Sequence, residues 1–332
     1  MHWSREQMAV FAALHIRQLL FSGLRPWHRI VTIWPPERTW RRTAWPGEPF
    51  KSITIQEELP FGRALPALMP NFIPIWSDIR NPAHDAEVLA RVRPDFVIST
   101  PSRLLRIGRA AAERHLSIRP KVLDLANETV TSAAKSRLAE LFDCKALVQY
   151  GAAEFGTIGM ECSYGRGVHL HEDFIVCEVL KDGEAAGPGE TGELVLTPLH
   201  NKAMPLIRIR TGDLVRRSDS GVCECGSWMT RLDQIKGRSA DGLAVFGGGR
   251  TTPLDAAELV EDCIGVCDYR LEQRTLQSFS LMVHPKTRIG GESARNLKGR
   301  LTDLVGVDVS LEVSEGSEED FVGKNRPIMS RV

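Results

Sequence analysis

Lys145-Ala-Leu-Val-Gln-Tyr-Gly-Ala-Ala-Glu154 runs from a short apolar segment straight into a small-residue loop that ends on a carboxylate. Two upstream stretches have the same design. Asp95-Phe-Val-Ile-Ser99 leads into Thr100-Pro-Ser102, and Lys121-Val-Leu-Asp-Leu125 leads into Ala126-Asn-Glu128. Helical patterns separate them: Ala86–Arg91, then a helix capped by Ser102 and running to about His115, then one capped by Thr131 and ending at Phe142. Strands alternating with helices at this spacing predict a parallel sheet with right-handed crossovers, hence an α/β fold. Ligands of such sheets sit beyond the carboxyl ends of the strands. Three polar loops distant in sequence are therefore expected along one edge.

Toward the N-terminus, residues 1–22 read as an amphipathic helix with Met8, Phe11, Leu14, Ile16, Leu19 and Leu20 on its apolar side. Residues 27–80 are rich in Pro and Trp, with strands expected at 29–34 and 51–55. Past Gly165 the period changes. Phe174–Leu180, Glu193–Thr197 and Leu206–Ile209 read as strands separated by Gly, Pro and Asp turns, which predicts an antiparallel, barrel-like subdomain over about 165–235. From Gly237-Arg238 strands and helices mix, with Pro253–Asp262 a helix. The expected organisation is a large domain over 1–237 and a smaller C-terminal α+β domain over 238–332.

The 332 residues suffice for two cores. Lys and Arg total 42, as do Asp and Glu, so no net field favours nucleic acid or an anionic membrane. No apolar run approaches the ~20 residues of a membrane span. The start, Met-His-Trp-Ser-Arg-Glu-Gln, lacks a signal-peptide layout. Seven cysteines with no such signal predict reduced thiols and a cytoplasmic protein. Five tryptophans (Trp3, Trp27, Trp34, Trp40 and Trp45) interleave with Arg25, Arg29, Arg38, Arg41 and Arg42. Such a mixture can stack single-stranded nucleic acid, but packing within a large domain is the favoured reading.

Two sets of side chains carry chemistry. In Asn201-Lys-Ala-Met-Pro-Leu-Ile-Arg-Ile-Arg-Thr-Gly-Asp213, a carboxylate follows a glycine-relieved turn, a placement from which it can accept both hydroxyls of a ribose. Arg208 and Arg210, at alternate positions of an expected strand, share a face and are read as ion-pair partners. Separately, Cys162, His169, Cys223 and Cys225 offer three thiols and one imidazole, a closed tetrahedral set for a structural Zn²⁺. The bland reading of the four is reduced side chains in a core. Cys263 and Cys267, one helical turn apart, read as core.

Three segments in this order, Tyr150-Gly-Ala-Ala-Glu154, Asn201–Asp213 and Lys236-Gly-Arg-Ser-Ala-Asp241, resemble the adenylate-forming acid–CoA ligases, most closely the phenylacetate–CoA ligase group. The resemblance implies ATP/AMP, Mg²⁺ and CoA as ligands and a small carboxylic acid, an aromatic one among the candidates, as substrate. It assigns Tyr150 and Gly151 to the adenine side, Glu154 to Mg²⁺, Asp213 to the ribose and Arg238 to the nucleotide. Asn127 and Glu128 match a loop lining the adenine pocket, although a cap on the Thr131 helix explains them nearly as well. Gly323-Lys324-Asn-Arg326 matches the tail whose lysine enters the site during adenylation.

Departures from the pattern are visible too. Ala153 stands where Ser or Thr is expected, Ile209 replaces a frequent Tyr, and Ala240 occupies the pivot position with Asp241 next to it. The Ser/Thr/Gly-rich phosphate loop of the family has no counterpart in these residues, which points either to a fragment or to a protein that has lost the loop. The function expected is conversion of a carboxylate to acyl-AMP and then acyl-CoA, with the ATP half-reaction weakened. The alternatives are a non-catalytic nucleotide- or acyl-adenylate-binding module, or an adenylating enzyme with a non-CoA acceptor. The sequence is compatible with an oligomer.

Overall fold

A computed structural model of the chain describes residues 5–34, 71–219, 221–265, 268–285, 288–321 and 326–332. Five strands form the parallel part: β1 (Ile30–Trp34), β2 (Phe72–Trp76), β3 (Phe96–Ser99), β4 (Val122–Leu125) and β5 (Lys145–Ala152). They lie in the order β2-β1-β3-β4-β5, every neighbouring pair parallel. The three strands expected from their apolar runs are present, and the 29–34 strand joins them. The segment expected as a strand at 51–55 lies outside the described residues. Strand β2 escaped the sequence reading because Pro74 interrupts it. Proline is tolerated there because β2 lies at the end of the sheet order, where one row of backbone groups needs no partner.

Helices α2 (Pro82–Val92), α3 (Pro101–Glu113) and α4 (Ser132–Phe142) cover one face of these strands. Val31, Ile33, Val97, Leu123 and Leu125 pack there against Leu89, Leu104, Ile107 and Leu138. Helix α1 (Arg5–Phe21) covers the other face, where Leu19 joins Ile98, Val122, Leu147 and Met160. Of its expected apolar side, Leu14 and Leu19 are buried while Leu20 is 49% exposed. Thr131 caps α4 as expected, accepting from the Ala134 amide at 3.1 Å. The cap of α3 is Thr100 and not Ser102. Pro101 takes the first helical position, which needs no amide hydrogen, so the residue before it becomes the cap.

Strands β6 (Gly156–Glu161), β7 (Val168–Leu170), β8 (Ile175–Lys181), β9 (Glu184–Ala185), β10 (Thr191–Pro198), β11 (Ile209–Arg217) and β12 (Arg231–Arg238) are antiparallel. They extend the first sheet through the β5–β6 pair in the order β6-β7-β12-β11-β10-β8-β9, and no pairing among the described residues closes a ring. The strand expected at Leu206–Ile209 instead begins at Ile209. Arg208 adopts φ +48°, so the chain kinks before entering the ladder. Arg208 and Arg210 are nonetheless ion-pair partners, of Glu178 and Glu193 respectively.

After Arg238 the chain leaves this sheet. Helix α5 (Pro253–Ile264), strands β13 (Tyr269–Thr275) and β14 (Ser278–Val283), helix α6 (Gly291–Val305), β15 (Ser310–Glu315) and β16 (Ile328–Ser330) follow. The strands make a second sheet, β15-β14-β13-β16, with its own core of Val260, Tyr269, Leu271, Phe279, Leu297 and Leu301. Cys263 belongs to that core, while Cys267 lies outside the described residues. No helix among the described residues is long and apolar enough to cross a membrane.

Asp124 is a polar exception inside the first sheet. It pairs in register with Ile98 on one side and Leu147 on the other, is fully buried, and neither carboxyl oxygen has a hydrogen-bond partner. Burial raises its pKa to about 8, so the neutral form predominates at neutral pH. The folded state then binds a proton that the unfolded chain releases near pH 4. Stability from this group is complete below about pH 4 and declines as pH rises toward 8. Melting temperatures across that range should fall more steeply for the native chain than for Asp124→Asn. Equal slopes would contradict the burial argument.

Candidate functional site

The carboxyl edge of the parallel strands gathers residues that sequence separates widely. Strand β5 carries Tyr150 and Gly151 and turns through Ala153-Glu154-Phe155 into β6. The turn is tight: a Cβ on Gly151 would stand 2.7 Å from the Gly156 carbonyl oxygen. Only glycine permits that approach. Tyr150 is buried, and its hydroxyl donates to Asp213 Oδ2 at 2.6 Å. Burial, and then the adjacent Asp213 charge, push the phenol pKa far upward, so it remains a donor.

Asp213 pairs in register with Arg238 across β11 and β12. The Arg238 Nε lies 3.8 Å from Asp213 Oδ1, beyond hydrogen-bond reach. One carboxylate oxygen is thus engaged by tyrosine while the other faces an arginine whose side chain is 61% exposed. Gly212, at φ +75°, allows the turn within β11 that presents the carboxylate, and the Thr211 hydroxyl accepts from the Asp213 amide at 3.1 Å. Tyr150, Asp213 and Arg238 therefore form one cluster. Glu154 is exposed at the hairpin turn with no hydrogen bond or ion pair among the described residues, a carboxylate free to take a hard cation through oxygen.

Asn127 and Glu128 lie on the loop after β4. Asn127 adopts φ +68°. The Glu128 carboxylate accepts from the Ser102 amide at 3.0 Å and the Ser102 hydroxyl at 2.8 Å, gripping the start of α3. Glu128 does not cap the Thr131 helix, as the sequence also allows, but reaches the preceding helix, because Thr131 already caps α4 itself. Lys324 lies outside the described residues, while Arg326 stands 3.9 Å from Asp241.

At the opposite side of the antiparallel strands, Cys162, His169, Cys223 and Cys225 converge, their potential ligand atoms all within 4.8 Å of one another. Cys162 Sγ lies 3.8 Å from Cys223 Sγ, and Cys225 Sγ lies 3.6 Å from His169 Nε2. A tetrahedral zinc with bonds of about 2.3 Å to sulfur and 2.0–2.1 Å to nitrogen requires S···S near ~3.8 Å and S···N near ~3.5 Å. The donor set and the spacing both fit. Two glycines make this junction close: a Cβ on Gly159 would stand 2.4 Å from the His169 carbonyl oxygen, and one on Gly167 2.5 Å from that of Leu232. Burial raises the Cys162 pKa to about 11. For Cys223 burial also pushes upward, but hydrogen bonds from the Cys225 backbone, the neighbouring thiols and Arg231 outweigh it, and its pKa is lowered.

Arg231 is the site residue that the sequence reading missed. It opens β12, pairs in register with His169, and its side chain is only 8% exposed. It donates to Ser218 Oγ at 2.9 Å, while Asp233 stays 4.0 Å from its Nε. Nothing in the motif spacing marks it, because only the fold shows that this arginine is inside. A polar cleft of about 390 Å³ beside the cluster is lined by Lys135, Glu161, Cys223, Glu224, Arg231 and Asp233.

Replacing Tyr150 by Phe removes a hydrogen bond to a carboxylate, an interaction worth roughly 1.5–3 kcal/mol. Denaturant unfolding should show a loss of that order, and a loss below about 0.5 kcal/mol would mean that the hydroxyl does not hold Asp213.

No family model matches the chain. Two curated relatives are phenylacetate–CoA ligases. That of Thermus thermophilus is 33% identical over 163 residues, 47% of this chain and 36% of that protein. That of Escherichia coli K12 is 32% identical over 244 residues, 70% of this chain and 48% of that protein. The chain thus spans half or less of the length of these two relatives. Among solved structures, 2-hydroxyisobutyryl-CoA ligase in a postadenylation state, with an acyl-AMP bound, superposes with a TM-score of 0.75 at 18% identity, covering 98% of this chain and 70% of that one. The same ligase in its thioesterification state gives 0.59. With the ordered segments and the two-sheet fold in agreement, the chain is a homologue of the phenylacetate–CoA ligases and shares the fold of a solved acid–CoA ligase.

Proposed function

We propose that the chain carries the nucleoside half of an acid–CoA ligase site that converts a carboxylate through acyl-AMP to acyl-CoA. The observation that supports this most is the Tyr150–Asp213–Arg238 cluster at the carboxyl edge of the sheet. Tyr150 holds Asp213 Oδ2, which leaves Oδ1 to accept the ribose hydroxyls. Arg238 offers an exposed planar fork for the nucleotide. Asn127 and Glu128 would border the adenine, with Gly151 allowing backbone approach. Glu154 would hold Mg²⁺, which supplies charge neutralisation at the phosphates when bound. Lys324 would stabilise charge on the α-phosphate as the carboxylate attacks and pyrophosphate leaves. The CoA thiol then attacks the mixed anhydride, releasing AMP. A small acid, aromatic as in the phenylacetate of the relatives' names, would be the substrate, and the seven cysteines read as reduced thiols support a cytoplasmic setting. The even balance of 42 basic and 42 acidic residues supports a chain with no nucleic-acid or membrane partner, whether or not it assembles as an oligomer. We take the large domain as 1–237 and the mobile one as 238–332.

In the ligases that the chain resembles, ATP is gripped by a phosphate loop, and the prediction concerns these 332 residues assayed by themselves. Thioester formation from supplied phenylacetyl-adenylate and CoA should therefore exceed ATP–pyrophosphate exchange by at least about 100-fold, a barrier difference of ~2.7 kcal/mol. Asp213→Ala should remove AMP binding and thioester formation together. Equal native-like rates for both half-reactions would refute the asymmetry. AMP binding with no thioester formed would favour a non-catalytic nucleotide-binding module, which Ala153 in place of the hydroxyl residue also favours. A non-CoA acceptor would show as transfer to another nucleophile.

We also propose a structural zinc at Cys162, His169, Cys223 and Cys225, a closed set that pins β6, β7 and the 223–225 turn together. Three thiolates, a neutral imidazole and a dication sum to one negative charge. Buried Arg231 offsets it, and a buried cation without such a partner would be costly. Zinc should be retained at one equivalent through chelator-free purification. Cys223→Ser/Cys225→Ser should lose it and melt lower by at least about 5 °C, while Cys144→Ser retains it. A zinc-free native protein would refute this site.

A further inference from the structure

Helix α5 of the second sheet places two carboxylates on the start of α4 in the first. Glu258 and Glu261 are one turn apart and so lie on one face of their helix. Glu258 Oε1 accepts from the Ser132 hydroxyl at 2.8 Å and from the Ser132 amide at 3.3 Å. Glu261 Oε2 accepts from the Thr131 hydroxyl at 2.5 Å. That hydroxyl in turn accepts from the Ala134 amide. It relays the pull of the helix end to a carboxylate that is only 5% exposed.

The N-terminus of α4 carries unsatisfied amides and positive partial charge, and both glutamates meet it. Their helix lies more than a hundred residues downstream, so the cap is completed from beyond the domain division at 237/238. Two further contacts cross the same boundary. Arg109 of α3 pairs with Asp268 at 3.0 Å, and Arg106 donates to the Phe321 carbonyl at 3.0 Å, just ahead of the 323–326 segment.

Resting on the ligase reading above, we propose that Glu258 and Glu261 are positioning residues: they latch the C-terminal domain onto the N-terminus of α4 in the adenylate-holding arrangement, and they must let go for thioester formation. Two features of the chemistry make this a latch and not a permanent weld. The contacts are polar and water can replace each of them when the domains part, whereas an apolar interface would have to be exposed. Each domain also keeps its own closed hydrophobic core, so parting costs neither its packing. The arrangement matches the relative's postadenylation state at 0.75 and its thioesterification state at 0.59, as expected if the two sheets sit here in the first geometry. While latched, the contact from Arg106 to Phe321 also holds the backbone that leads to Lys324.

The test compares the native chain with Glu258→Gln/Glu261→Gln, which keeps side-chain shape and removes both charges, and with Glu258→Asp as the conservative control. Phenylacetyl-adenylate and CoA are supplied, and both thioester formation and retention of the adenylate are followed. The double variant should form thioester several-fold faster and release the adenylate about tenfold faster, with Glu258→Asp close to native. A purely structural role would lower the rate along with stability. An unchanged or reduced thioester rate in a folded double variant overturns the latch. A second readout does not need catalysis: energy transfer between dyes on non-natural residues at positions 137 of α4 and 298 of α6. A single narrow distance in the native chain that broadens in the double variant supports the latch, and identical distributions overturn it. If the native chain forms no thioester and binds no adenylate, the ligase reading fails while the distance measurement still decides the latch.

Discussion

The hydrogen bond from Tyr150 to Asp213 is the contact around which the molecule is organised. Beyond the backbone pairing of β5 with β6, it ties the last parallel strand to β11 through buried Tyr150. Tyr150 can reach Asp213 only because β5 continues past the other parallel strands and turns back as β6, which carries the sheet on into its antiparallel half. Gly151 and Gly156 make that reversal tight enough. Once β11 is in place, its partner β12 delivers Arg238 to the same spot and hands the chain to the second sheet. Fold continuity and site assembly thus depend on one junction.

The two ends of β12 do different work. Its C-terminal end bears Arg238, in register with Asp213. Its N-terminal end bears Arg231 beside the thiol cluster. Between them the strand is irregular, with register shifts against β11 at two places. A metal that fastens the Arg231 end would leave the Arg238 end as the part from which the C-terminal domain departs. The polar contacts between α4 and α5 supply a second attachment of the second sheet to the first, remote from Arg238.

Much of the large-domain architecture was legible because its signals are local. Buried parallel strands are short apolar runs, and Thr131 stands where a cap belongs. Local signals misled where a neighbour changed the rule. Pro101 moved the cap of α3 from Ser102 to Thr100, Pro74 hid an edge strand, and the left-handed Arg208 delayed the start of β11. The site was legible to the extent that motifs carry it. Asp213, Arg238 and Tyr150 were named from sequence and stand together. That Tyr150 uses its hydroxyl on Asp213, and that Glu128 grips Ser102, could not be read from spacing.

By itself the sequence determined the family, the alternation that makes a parallel sheet, and the inventory of thiols, carboxylates and arginines, because these depend on residue type and near neighbours. Only the tertiary structure decided which of them meet. Cys162 and Cys223 are 61 positions apart, yet their sulfurs lie at the tetrahedral spacing. Arg231 turned out to be inside, and Glu258 and Glu261 to complete the cap of a helix in the other domain. Such meetings depend on how strands and helices pack in three dimensions, and separation along the chain carries almost no information about that.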